Sequence, residues 1–182
     1  MANHICPWWV GYLLANPLRR FFEKPEKMLA PFVRTGMTVI DYGCGMGFFT
    51  IPLARMVGLD GKVIAVDIQK KMLNGLRKKI RRTDLSDRIM LQAAGAEQLI
   101  EEDSVDFVTA LHVIHEIVEQ DAFFAEMYRV MKPGAKLFML EPRFHVAAEA
   151  FRKSVDMAES TGLVLTSNID FSRSLSVVLS KP

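Results

Sequence analysis

Apolar residues fall into two rhythms along this 182-residue chain. Short β-branched and apolar runs read as strands at Thr38–Ile40, Lys62–Val66, Ile89–Ala93, Val105–Leu111 and Lys136–Leu140. Between them, helical spacing covers Phe49–Val57, Gln69–Arg82 and Glu119–Val130. In the second of these, Met72, Leu73, Leu76 and Ile80 share one face, and lysines and arginines occupy the rest. Gly58 ends the first helix, and Lys132-Pro133-Gly134 predicts a turn that ends the third. Ala147–Ser160 reads as a further helix ended by Gly162. Leu163–Phe171 and Ser174–Leu179, with only Ser172-Arg173 between them, predict an antiparallel hairpin.

Residues 1–34 precede the first strand as a helical extension. Trp8 and Tyr12 share a face there, a second short segment starts at Asn16-Pro17 and runs through Phe21-Phe22, and Pro25 opens a helix to Phe32. The aromatic residues of this extension either pack onto the core or form a lid. Its apolar stretch Ile5–Ala15 has no basic residue before it and is interrupted by prolines, so neither a signal peptide nor a membrane span is expected.

With 50% apolar and 24% charged residues, the composition is that of a globular protein, expected to form a single domain over residues 1–182 with its core at 35–182. A net charge of +2 is too mild to point to nucleic acid or an anionic membrane as a partner and leaves the substrate open, and the sequence does not name the oligomeric state. Cys6 and Cys44 lack zinc-like spacing and the sequence implies no disulfide between them, so a reducing, cytoplasmic setting is the default expectation.

The candidate chemistry centres on Thr38–Arg55. The strand ends in Asp41-Tyr42, then Gly43, Gly45 and Gly47 alternate before a helix, which is a strand, tight turn and helix. Glycines allow positive φ and let backbone N–H groups approach a ligand that a side chain would exclude. The next strand ends in Asp67, where a carboxylate can accept hydrogen bonds from a ribose diol. The dinucleotide fingerprint G-x-G-x-x-G, started at Gly43, needs Gly or Ala where Phe48 stands.

D-x-G-x-G-x-G at Asp41–Gly47, V-I-A-V-D at Val63–Asp67 and YRVMKPGAKLFMLEP at Tyr128–Pro142 together resemble the class I S-adenosylmethionine-dependent methyltransferases, over Val33 to Lys181. The resemblance implies a three-layer αβα Rossmann-like fold whose mostly parallel sheet has an antiparallel last strand. It implies S-adenosylmethionine as cofactor, with Asp41, Gly43 and Gly45 around its methionine portion and Gly47 packing helix against strand. Asp67 would hold the ribose and Ile68 would lie against adenine. Family members usually place an acid where Gly95 stands, so backbone contact at Ala96 or a shifted role for Glu97 is implied instead. The resemblance also favours the lid reading of the N-terminal extension.

For the acceptor, a small molecule whose nucleophile (O, N, S or C) stays open, a base near neutral pKa is needed if a proton must leave. His112 and His115 after the fourth strand and His145 after the fifth are the candidate catalytic residues, with Glu116 and Glu141 beside them. His112 is also a candidate cofactor contact. No metal is expected, since the region after the fourth strand offers histidines rather than clustered carboxylates. The alternative reading is a non-catalytic, cofactor-binding regulatory protein with the same fold.

Overall fold

The computed structural model describes residues 23–96, 99–169, 171 and 174–182. The expectations for the extension before Glu23, with its Trp8 and Tyr12, and for Glu97 fall outside these residues. Seven strands are flanked by helices, an α/β fold with a mostly parallel sheet. The described residues divide into two compact units, 23–96 and 99–182.

The first unit contains helix α1 (Pro25–Leu29), strand β1 (Thr38–Tyr42), helix α2 (Thr50–Met56), strand β2 (Lys62–Asp67), helix α3 (Lys70–Ile80) and strand β3 (Ile89–Ala93). β1 pairs with β2 and β2 with β3, all parallel. Val63 through Val66 are buried in sequence, as a parallel strand covered on both faces requires. The first helix, expected to reach Phe32, stops at Leu29 because Pro31 has no N–H with which to continue the ladder. In α3 the residues Met72, Leu73, Leu76 and Ile80 are buried, while Lys70, Lys71, Arg77, Lys78, Arg81 and Arg82 are exposed in and just beyond it.

The charge is unevenly spread. Seven of the chain's 23 Lys and Arg lie between Lys70 and Arg82, a stretch with no acid; the other 16 are outnumbered by 21 Asp and Glu, leaving the rest of the chain at net −5.

The second unit holds strand β4 (Val105–Leu111), a 3-10 turn (Ile114–Glu116), helix α4 (Gln120–Val130), strand β5 (Met131–Pro142), helix α5 (Ala148–Ser160) and strands β6 (Val164–Asn168) and β7 (Ser174–Ser180). β4 and β5 are parallel, and β7 runs antiparallel to both β5 and β6. The last strand is therefore the reversed one, inserted between β5 and β6. Phe107, Phe124, Met127, Phe138 and Met139 fill the core of this unit.

Two local expectations are corrected. Lys132-Pro133-Gly134 is not a turn ahead of β5 but a bulge inside it: Val105 pairs with Met131, Phe107 next pairs with Lys136, and Gly134 takes φ +80° in the excursion. The bulge is tied down by Gly134 N donating to Lys181 O and by Lys181 N donating to Ala135 O. The hairpin also has a longer connection than Ser172-Arg173, because β6 ends at Asn168. Ile169 N donates to Ser176 O there, and the Ser176 hydroxyl donates back to Ile169 O.

Candidate functional site

In the first unit the glycine turn is held to the end of β2 by its own backbone. Gly43 N and Cys44 N both donate to Val66 O, at 2.9 and 3.0 Å, and Gly47 N donates to Cys44 O at 2.9 Å. Gly45 N donates to Asp67 Oδ2 at 2.8 Å, and Gln69 N donates to Asp67 Oδ1 at 2.8 Å. The expectation that glycine N–H groups face a ligand is thus corrected: those of Gly43 and Gly45 are bonded to the end of β2, and that of Gly47 to Cys44 O within the turn. What the glycines provide is shape. Gly45 sits at φ +52° with no atom within 4 Å of a would-be Cβ, so the backbone there faces open space. Gly47 at φ +84° is closed instead, and a Cβ would lie 2.4 Å from Leu76 Cδ1 of α3.

Helix α3 clamps the same turn at two more points. Met46 packs against Gly75, whose Cβ would meet it at 3.1 Å, and Lys79 Nζ donates to Met46 O at 2.8 Å. Burial pulls the Lys79 pKa below its ordinary value. The thiol of Cys44, a buried cysteine without a disulfide, is pushed well above its usual range by burial and by the carboxylates of Asp41 and Asp67.

The structure places the other expected cofactor residues as follows. Asp41, expected beside the methionine portion, is 2% exposed, and its Oδ2 accepts from the Thr50 hydroxyl at 2.6 Å. It therefore ties the end of β1 to the first residue of α2. Asp67 is buried at the end of β2; burial raises its pKa, and the two backbone N–H donors oppose that rise. Ile68 is 63% exposed, an unusual placement for an isoleucine directly after a buried strand. Gly95 takes φ +86° with open space around it, which accounts for glycine in place of an acid: a side chain there would be strained. Ala96 N closes this turn on Ala93 O at 3.3 Å.

In the second unit the parallel register sets Leu111 opposite Leu140, so β4 and β5 end side by side. His112 N donates to Leu140 O at 2.7 Å, and His112 itself takes φ +62°, a conformation uncommon for a residue with a side chain. The 3-10 turn then brings His115 back over the end of β5. Its Nδ1 lies 2.8 Å from Glu141 Oε2, and its backbone N donates to Glu141 Oε1 at 3.3 Å. The His145 ring stands edge-on to that of His115, with centroids 4.8 Å apart, and Glu116 Oε1 is 3.8 Å from His115 Nε2.

Glu141 is 1% exposed. Its hydrogen bond is the largest influence raising the His115 pKa; burial opposes the rise, and the charges of Glu141 and Glu116 add to it. His115 and His145 are thus brought together, with His112 at the strand end beside them in sequence. Glu141 is the residue that sequence reasoning undervalued, although its place at the end of a parallel strand was a usable signal.

A sequence profile described as "Methyltransferase domain" matches residues 34–170. A demethylmenaquinone methyltransferase of Lactobacillus johnsonii is 37% identical over 124 residues, covering 68% of this chain and 48% of that protein. The ubiquinone/menaquinone biosynthesis C-methyltransferase UbiE of Escherichia fergusonii is 36% identical over 110 residues, covering 60% of this chain and 44% of that protein. The chain therefore spans about half the length of these curated relatives. Among solved structures, a SAM-dependent methyltransferase from Aquifex aeolicus superposes with a TM-score of 0.86 at 26% identity, covering 96% of this chain and 98% of that one. The matched span begins at the approach to β1 and takes in the glycine turn, Asp67 and the histidines that follow β4 and β5: the chain belongs to the methyltransferase domain family.

Proposed function

We propose that this chain transfers a methyl group from S-adenosylmethionine to a small-molecule acceptor. The observation that carries the reading is the buried Asp67 carboxylate, oriented by Gly45 N and Gln69 N beside a glycine backbone that faces open space. The residues fit the cofactor. Gly43 and Gly45 would admit its methionine portion by close approach, and Asp67 would accept the ribose hydroxyls on the lone pairs that its two backbone bonds leave. Those added donors would offset the cost of burying its charge. Ile68 would offer its exposed side chain to adenine, and the Gly95-Ala96 turn its backbone. Asp41 would contribute indirectly, by fixing the turn to α2.

The bound sulfonium supplies an activated methyl group for in-line displacement. The chain's part is then to orient the acceptor and keep it dry, an effect that reaches about 7–11 kcal/mol in well-oriented reactions. His115 is the proposed general base. Glu141 holds the proton on Nδ1, which leaves the Nε2 lone pair to take a proton from the acceptor. His145 would support the ring edge-on, and His112 stays a candidate cofactor contact. The two relatives are named for demethylmenaquinone and for ubiquinone/menaquinone biosynthesis. That likeness supports an acceptor of quinol type, whose hydroxyl proton is the one His115 would remove. A cytoplasmic setting belongs to the same reading and is supported by the buried thiol of Cys44. Among the described residues, no helix is long and apolar enough to cross a membrane.

Calorimetric titration with S-adenosylmethionine and S-adenosylhomocysteine tests the proposal. The wild type should bind both saturably, and a folded Asp67→Ala variant should bind neither. A folded wild type that binds neither ligand overturns it.

A further inference from the structure

A cavity of about 360 Å³ opens in the second unit between the first half of α5 and the β6–β7 hairpin. None of His112, His115, Glu141 and His145 lines it, and every residue that does lies between Arg143 and Val177. Its inner wall is apolar: Phe151, Val155 and Val177 are buried, and Leu165, Ile169 and Leu175 complete it. The one hydroxyl on that wall, Ser176, is already committed to Ile169 O. Asn168 also lines the cavity, so a ligand body seated there meets hydrocarbon on the inner wall and one side-chain amide beside it.

The rim differs. Arg143 Nε donates to Ser174 O at 2.7 Å, which fixes the plane of the guanidinium while leaving its two amino groups. Among the described residues no carboxylate lies within 4.0 Å of it. The other rim cation, Arg152, is neutralised by Asp156 at 2.8 Å and by Glu159 at 3.6 Å. One oriented guanidinium with no carboxylate partner among the described residues thus stands at the mouth of a cavity with an apolar inner wall, of a size that holds small ligands. A planar guanidinium is the side chain suited to a two-point grip on a carboxylate.

From this juxtaposition we propose that the cavity binds a small amphiphilic carboxylate, with its acid group on Arg143 and its hydrocarbon portion against Phe151, Val155 and Leu165. The site is separate from the residues assigned to cofactor binding, so it stands whether or not the methyl-transfer reading does.

Octanoate is the test probe, with acetate as the charge without the body and octan-1-ol as the body without the charge. Calorimetric titration of the full chain should show saturable octanoate binding and at least tenfold weaker binding of either control. Arg143→Gln should weaken octanoate at least tenfold, and Arg143→Lys should lose less. Leu165→Trp, which fills the cavity and keeps the cation, should also abolish binding. Thermal melts confirm that each variant folds, and S-adenosylhomocysteine affinity should be unchanged in all three. Failure of octanoate to saturate, equal binding of octan-1-ol, or octanoate binding that survives both Arg143→Gln and Leu165→Trp would overturn the proposal.

Discussion

Glu141 is a carboxylate almost wholly removed from water, and both its oxygens are hydrogen-bonded by His115, one by the ring and one by the backbone N–H. Replacing it by Gln keeps an oxygen for the backbone N–H of His115 but removes the anion that favours imidazolium. The His115 titration, followed by NMR, should therefore move down from its raised position toward the ordinary 6.5. A histidine whose folded pKa is raised contributes stability that is complete below the unfolded value and is lost as pH rises through the folded value. That pH dependence should shrink in Glu141→Gln, and the acidic limb of the rate profile should shift to lower pH because neutral His115 is the proposed base. An unchanged His115 titration would remove Glu141 from the scheme. At the turn, two glycines separate stability from binding. Gly47→Ala puts a Cβ 2.4 Å from Leu76 Cδ1 at φ +84° and should cost about 1–3 kcal/mol in thermal unfolding. Gly45→Ala meets nothing, so it should cost less stability but more S-adenosylhomocysteine affinity by calorimetry. The candidacy of Asp67 was legible in its position at a strand end. Its bond to Gly45 was not, since it joins two segments that only the β1–β2 register brings together.

Among the elements, α3 acts as more than a cover for the sheet. Leu76 fills the space beside Gly47, Gly75 receives Met46, and Lys79 reaches the Met46 carbonyl, so one helical face fixes the turn at three points. Lys79→Met keeps most of the stem and deletes one hydrogen bond. It should lower the melting temperature only slightly while weakening S-adenosylhomocysteine binding several-fold by calorimetry, and unchanged affinity would show that the turn is rigid without the clamp. The helix itself was plain from Met72, Leu73, Leu76 and Ile80, whose spacing needs no partner to be read. The bulge in β5 was not, because a Lys-Pro-Gly run signals a turn and only the pairing of Val105 with Met131 extends the strand past it. Likewise the hairpin's strands showed in their apolar runs, but the bonds between Ile169 and Ser176 that set its loop length depend on register.

For the molecule as a whole, residues 1–182 are proposed to unfold as one domain, in a single thermal transition. S-adenosylhomocysteine at a hundred times its Kd should stabilise by about 2.7 kcal/mol, which corresponds to a rise in Tm of roughly 5–11 °C at this chain length. Differential scanning calorimetry checks both points: a second, ligand-insensitive transition would divide the domain, and no shift would remove the ligand. The fold as a whole was the most legible level, because alternating runs and a glycine turn after the first strand are local patterns that survive without knowledge of contacts. The histidine cluster was legible only as positions, since its pairing with Glu141 comes from two strands ending together. A net charge of +2 conceals seven cations between Lys70 and Arg82 set against net −5 elsewhere, so in solution the chain offers one concentrated cationic helix and an anionic remainder rather than a weakly charged surface. In dilute buffer, where screening extends over roughly 30 Å, the helix of one copy attracts the acidic residues of another, and modest salt disperses them.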